Sequence, residues 1–224
     1  MSKKLSMHFH IITLFPKALN SYIGESILKR AIEDRKIKIS FYNPRDFVEN
    51  KWKRVDRPPY GGGPGLVIEA LPVIRAIESA VSKAKKLKAK SCKLIFLSPS
   101  GKQFSNQYAR QTVKKYKHVI IVCGRYEGID ARVKKVFKMD EISIGPFVLT
   151  GGELPAMFII DVMARQVPGV LGNFDSLEER RVSSSEVYTR PEVFVYKGKS
   201  YRVPKVLLSG NRAAIEKWKE EKKK

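Results

Sequence analysis

A chain of 224 residues with 43% hydrophobic content is long enough for one large domain, alone or with a small companion, around a sizeable core. No apolar run reaches the roughly 20 residues that span a bilayer, and no small-residue cleavage site follows the short apolar run at 8–15, so neither a membrane span nor a signal peptide is expected. Against 22 acidic residues stand 44 Lys and Arg, a net charge of +22, which points to a polyanionic partner and foremost to nucleic acid.

In chain order, "HFHIITLF" (8–15) reads as a buried strand, and Pro16 opens a helix whose apolar residues recur at helical spacing over 18–35. The segment 36–43 alternates as a strand does. A Pro- and Gly-rich loop covers 44–65 and ends in "YGGGPG". Loops of that length in a compact domain are usually functional or disordered. A helix is expected over about 70–90. Three strand-loop-helix units follow: "CKLIFLS" into "PSGKQ" with a helix over 103–116, "HVIIVC" into "GRYEGID", and "EISIG" into "PFVLTGGELPA" with a helix from "MFIIDVMARQV". Strands alternating with helices give an α/β fold with a mostly parallel sheet. After residue 172 the pattern breaks into a charged linker, then a hairpin around "YKGKSYR" and a last helix capped by Asn211. Cys92 and Cys123 lie in apolar runs and there is no Cys/His cluster. Both cysteines are read as reduced core thiols, and no metal site is expected.

Ligands of parallel sheets bind at the carboxyl ends of the strands. Here the three loops at those ends are rich in glycine, and glycine lets backbone approach a flat ligand closely. Neither a G-x-G-x-x-G fingerprint nor a phosphate loop is present. "GRYEGID" gathers Arg125, Tyr126, Glu127 and Asp130 after a buried strand, a setting more often functional than a helix face. The alternative for this loop is a local salt bridge with Asp130 capping the next helix.

Six blocks, "DRPPYGGGPG", "LSPSG", "CGRYEGID", "SIGPFVLTGGELPA", "PGVLGN" and "YTRPEV", occur in one order over nearly the whole chain. Together they resemble the TrmD family of bacterial tRNA (guanine-N1)-methyltransferases, in the SPOUT superfamily. The resemblance implies a SPOUT-type fold with a deep trefoil knot over 1–172, an interdomain loop over 173–187 and a small, shortened tRNA-contacting region over 188–224. It implies S-adenosylmethionine as cofactor and admits an assisting Mg²⁺ ion. By motif match the cofactor residues are Leu97, Ser98 and Pro99 in the first loop, and Gly124, Tyr126, Glu127 and Gly128 in the second. The third contributes Ile142, Ile144, Gly145, Pro146, Phe147, Val148, Leu149, Gly151 and Gly152. It also implies a cytoplasmic homodimer with composite active sites, acting on the guanosine 3′ of the anticodon, position 37 of tRNA.

Guanine N1 carries a proton, so a general base should remove it, and charge moving onto O6 calls for a cationic donor. The resemblance gives the donor as Arg165, just before "PGVLG". The base is where the chain departs: the family's Asp-Ser-Phe-like triplet is missing from the interdomain loop. Counting from the flanking blocks reaches Glu179 and Arg180 from one side and Asp175 and Ser176 from the other. Arginine cannot serve as a base, and the carboxylates of the loop are Asp175, Glu178, Glu179 and Glu186; Glu179 is favoured, with Glu178 and Asp175 behind it. Pro146 and Arg57 also stand where the family has acidic residues, and Pro146 has no N–H to offer. The reading against this one is a tRNA-binding SPOUT protein that keeps the cofactor pocket but has lost turnover.

Overall fold

The computed structural model describes residues 7–87, 92–171 and 186–222. They form two compact units, 1–171 and 172–224. In the first, five strands make one sheet: β1 (Met7–Ile12), β2 (Ile37–Tyr42), β5 (Cys92–Gln103), β6 (His118–Val122) and β7 (Asp140–Ser143). Their order is β2-β1-β6-β5-β7, and every neighbouring pair is parallel. The mostly parallel α/β expectation therefore holds. A short ladder, β3 (Asp56–Arg57) with β4 (Val67–Ile68), lies within the long loop.

The sheet is apolar on both faces, as a sheet covered by helices must be. Phe9, Ile11, Val119 and Ile121 face one side, where α2 (Ser26–Glu33) brings Leu28 and Ala31 and α6 (Glu153–Arg165) brings Ile159, Ile160 and Met163. Ile12, Ile120, Val122 and Phe96 face the other, packed on Val73, Ala76, Ile77 and Ala80 of α3 (Ala70–Lys86). Those α3 residues recur at three and four positions, one stripe of a helix. Among the described residues no helix is long and apolar enough to cross a membrane.

Four boundaries differ from the sequence reading. The first helix is split: a 3-10 turn (Pro16–Leu19) and α1 (Asn20–Ile23) stop at Gly24 before α2 begins. A Cβ on Gly24 would lie 2.8 Å from the Asn20 carbonyl. The strand of the first unit runs on to Gln103, with a register shift between Leu97 and Lys102, both set against Ile142 of β7. "PSG" is thus a bulge within a strand, not a loop after it. Gly101 fits because a Cβ there would come within 2.6 Å of the Glu141 backbone. Helix α4 (Asn106–Lys115) starts later than expected, capped by Ser105, which accepts from the Tyr108 N–H at 3.2 Å. Helix α6 starts earlier, at Glu153, so "ELPA" forms its first turn and Pro155 sits where its missing N–H costs nothing.

The short helix α5 (Arg132–Val136) follows the second loop. In the second unit, β8 (Val193–Tyr196) and β9 (Lys199–Arg202) form the expected hairpin. Its turn residues Lys197 and Gly198 both have positive φ, 48° and 75°, which matches the twist of the strands. Helices α7 (Lys205–Leu208) and α8 (Arg212–Glu221) follow. Asn211 caps α8 by accepting from the Ala214 N–H at 3.2 Å.

Candidate active site

Three chain segments meet at the carboxyl end of the sheet around a cleft of about 290 Å³, near the small end of the 300–1,000 Å³ usual for small-molecule sites. The β5 bulge supplies Leu97, Ser98 and Pro99; the loop after β6 supplies Gly124, Tyr126, Glu127 and Gly128; the segment after β7 supplies Ile142, Ile144, Phe147, Val148, Leu149, Gly151 and Gly152. Among the lining residues are also Arg125, Ser143, Thr150 and Pro155, which the sequence reading did not assign to the site. The described lining omits Gly145 and Pro146. These two lie at the turn that Ser143 closes, its hydroxyl donating to the Gly145 carbonyl at 2.8 Å.

The loops are locked by backbone contacts that only glycine permits. The Gly152 N–H donates to the Gly124 carbonyl at 2.9 Å, and a Cβ on Gly152 would lie 2.6 Å from Cys123 Cα. Tyr126 holds a left-handed φ of 59°, a strained state for a residue with a side chain. Two bonds fix it: Gly128 N–H to the Arg125 carbonyl and Glu127 N–H to the Leu66 carbonyl, both 3.0 Å. The second bond ties the glycine-rich segment to the cleft. Gly65 has φ 84° and leaves room for the Glu127 carboxylate, which a Cβ would meet at 2.5 Å.

Beneath the loops lies a charged network. Arg125 Nε donates to Glu153 Oε2 at 2.8 Å, and Thr13 Oγ1 donates to Glu153 Oε1 at 2.6 Å. Glu153 is 3% exposed. Arg125 also donates to the Thr150 carbonyl at 3.2 Å and lies 4.7 Å over the Phe15 ring. One guanidinium thus joins the second loop, the third loop and the segment after β1. Nothing in the sequence paired residues 125 and 153, which lie 28 positions apart.

Burial, and then the nearby Glu153 carboxylate, push the Cys123 thiol well up against the opposing pull of Arg125, so it is no nucleophile. Cys92 is likewise a free thiol, raised by burial. Asp130 follows the structural alternative: it accepts from the Arg132 N–H at 2.9 Å and pairs with the Arg132 guanidinium at 2.6 Å. The hydrogen bonds from Arg132 hold its carboxyl below the usual range.

Arg165 lies in the last turn of α6 and is not among the cleft lining. Twelve helical steps separate it from Glu153, about 18 Å at 1.5 Å per residue. It has no hydrogen-bond or ion-pair partner among the described residues. Asp175, Glu178 and Glu179 lie outside the described residues.

The chain matches the family described as tRNA (Guanine-1)-methyltransferase TrmD over residues 7–224. It is 43% identical over 219 residues to the tRNA (guanine-N(1)-)-methyltransferase of Clostridioides difficile (strain 630), covering 96% of this chain and 91% of that one. It is 45% identical over 220 residues to the protein of that name from Caldanaerobacter subterraneus subsp. tengcongensis, covering 96% and 86%. For that of Campylobacter jejuni subsp. doylei the identity is 43% over 213 residues, covering 93% and 88%.

Proposed function

The chain belongs to the tRNA (guanine-1)-methyltransferase TrmD family, and on that premise we propose that it methylates N1 of the guanosine 3′ of the anticodon in tRNA, using S-adenosylmethionine in the cytoplasm. The observation that carries the reading is the cleft itself, in which fourteen of the sixteen residues marked by motif converge from three chain segments. The cleft suits the cofactor: Leu97, Ile144 and Leu149 offer apolar walls, the glycine edges offer backbone, and the Glu127 carboxylate offers an acceptor for hydroxyl or ammonium groups. When bound, S-adenosylmethionine supplies an electrophilic methyl group on sulfur. The proposal includes the knotted crossing that the resemblance implies for these three loops.

The chain's own residues then have three tasks. The cleft loops fix the donor's position, so that the approach to guanine is a matter of geometry. Glu179 takes the N1 proton, with Glu178 and Asp175 as the alternatives in that loop. Arg165 donates to O6 as negative charge gathers there. The family resemblance implies a homodimer with composite sites, and Arg165, about 18 Å along α6 from the cleft end of the helix, is read as serving the cleft of a second copy. Leu154 and Phe158, one turn apart on α6 and 56% and 46% exposed, offer the apolar face that such a partner would cover. The missing Asp-Ser-Phe triplet supports the other reading, in which tRNA and cofactor bind without turnover.

Single-turnover methyl transfer on Arg165→Ala, Glu179→Gln, Glu178→Gln and Asp175→Asn, with cofactor affinity measured by calorimetry on each, separates these readings. Arg165→Ala is expected to slow transfer about 10²–10³-fold and Glu179→Gln about 10²–10⁴-fold, both with cofactor affinity unchanged. Full rates in all three carboxylate variants would refute the base assignment.

A further inference from the structure

All three histidines of the chain meet in one buried cluster. Alternation along β1 sends His8 and His10 to the same face, and the ladder sets His118 of β6 beside His8. The cluster lies at the amino ends of the strands, away from the cleft. His8 and His10 are fully buried and His118 is 5% exposed. One ligand-capable atom from each lies within 4.8 Å of the others.

Their hydrogen bonds divide the ring nitrogens into two sets. His8 Nε2 bonds Ser40 Oγ at 2.9 Å, and His10 Nδ1 bonds the Tyr42 hydroxyl at 2.9 Å. These are outward contacts to β2. The other nitrogens are left for one another: His10 Nε2 meets His118 Nδ1 at 3.0 Å, while His8 Nδ1 is buried with no partner among the described residues. An ordinary core histidine satisfies both nitrogens; His8 does not. Metal-ligating histidines have this division, one nitrogen on the ion and the other held by an outer hydrogen bond.

We infer that His8, His10 and His118 form a binding site for a divalent transition-metal ion of the zinc class, held through His8 Nδ1, His10 Nε2 and His118 Nδ1. Imidazole donors suit Zn²⁺, Co²⁺, Ni²⁺ and Cu²⁺. The set holds no oxygen ligand of the kind Ca²⁺ or Mg²⁺ requires. Lys38 and Lys83 exert their positive fields on these rings. These fields oppose a cation, so coordination by the three imidazoles must outweigh them. The His8 and His10 rings now stack at 3.9 Å, so binding turns them about their side-chain bonds until the lone pairs converge. The proton shared between His10 and His118 moves to the outer nitrogen of its ring, a tautomer change with no net proton release. The bound ion would cross-link β1 to β6 and, through Ser40 and Tyr42, draw in β2.

The test uses the untagged full chain, stripped with a chelator and titrated with Co²⁺ and with Zn²⁺. The expected result is one equivalent bound, tetrahedral Co²⁺ absorption bands, and a melting temperature that rises with metal concentration. Ser40→Ala and Tyr42→Phe, which leave all three ligands in place, should weaken binding about 10–100-fold, and His118→Asn should abolish it. A wild type with no stoichiometric binding and no rise in melting temperature overturns the inference. So does binding that survives His118→Asn undiminished in the folded variant, or a Co²⁺ spectrum dominated by thiolate charge transfer.

Discussion

Replacing Arg125 by Met tests whether the cleft rests on the network under its loops. Met fills much of the same volume but leaves Glu153 without its cation. That carboxylate is 3% exposed and would keep only the 2.6 Å bond from Thr13. Removing one partner of a buried pair costs about 3–5 kcal/mol. The Arg125 side chain is 26% exposed, so water offsets part of this, and a loss of about 2–4 kcal/mol is expected. For a chain of this size that corresponds to a fall of about 5–15 °C in melting temperature. Adding Glu153→Gln removes the stranded charge while retaining an acceptor for Thr13, so the double variant should recover part of the loss. Calorimetric unfolding of the wild type, both single variants and the double variant gives the coupling, expected at about 1–3 kcal/mol. Amide exchange at residues 124–128 should accelerate in Arg125→Met. An unchanged melting temperature, or strictly additive effects, would refute the reasoning.

Gly152→Ala should destabilise by about 1–3 kcal/mol, because its Cβ would lie 2.6 Å from Cys123 Cα and 2.8 Å from Cys123 Cβ; denaturant unfolding checks this, and the cleft should bind cofactor more weakly. The metal-free protein should lose stability in acid. Burial, followed by the neighbouring His118, lowers His8 to about 4, and burial, followed by His8, lowers His10 to about 3. Unfolded imidazoles protonate from about pH 6.5 downward, so the unfolded state binds more protons there and stability falls as pH drops. The loss from these two residues is about 2 kcal/mol each by pH 5, read from urea midpoints at pH 7.5 and 5; a flat profile would contradict it. Deleting 219–224, a net loss of positive charge, should weaken tRNA binding more at low salt than at high salt, and equal affinity at both would rule out a role for the tail.

The central strands were legible because their residues leave no choice. "HFHII" and "HVIIV" are apolar on both faces apart from the histidines, and such runs belong to buried parallel strands. The hairpin turn was legible from Lys197-Gly198, and the α8 start from Asn211. Less visible was anything set by a distant partner. The Asn20 carbonyl leaves no room for a Cβ at Gly24, where α1 ends, and "PSG" stays within a strand because β7 resumes pairing beyond it. The cleft residues were marked by motif rather than by pattern, and the sheet order that brings their three loops together cannot be read from any one segment. The Arg125–Glu153 pair spans 28 positions and had no local signal. The histidine cluster was missed, although His8 and His10 are two apart and a strand there puts them on one face. His118 joins them only through the β1–β6 register.

The central claim is methyl transfer to guanine N1, and it is tested most directly by incubating the purified chain with methyl-labelled S-adenosylmethionine and a tRNA transcript bearing guanosine at position 37. The account predicts one methyl group per tRNA, found as 1-methylguanosine at position 37 on nucleoside digestion, and none on a transcript with adenosine there. A protein that binds both tRNA and cofactor yet transfers no label, or that methylates a ribose or another base, would contradict it.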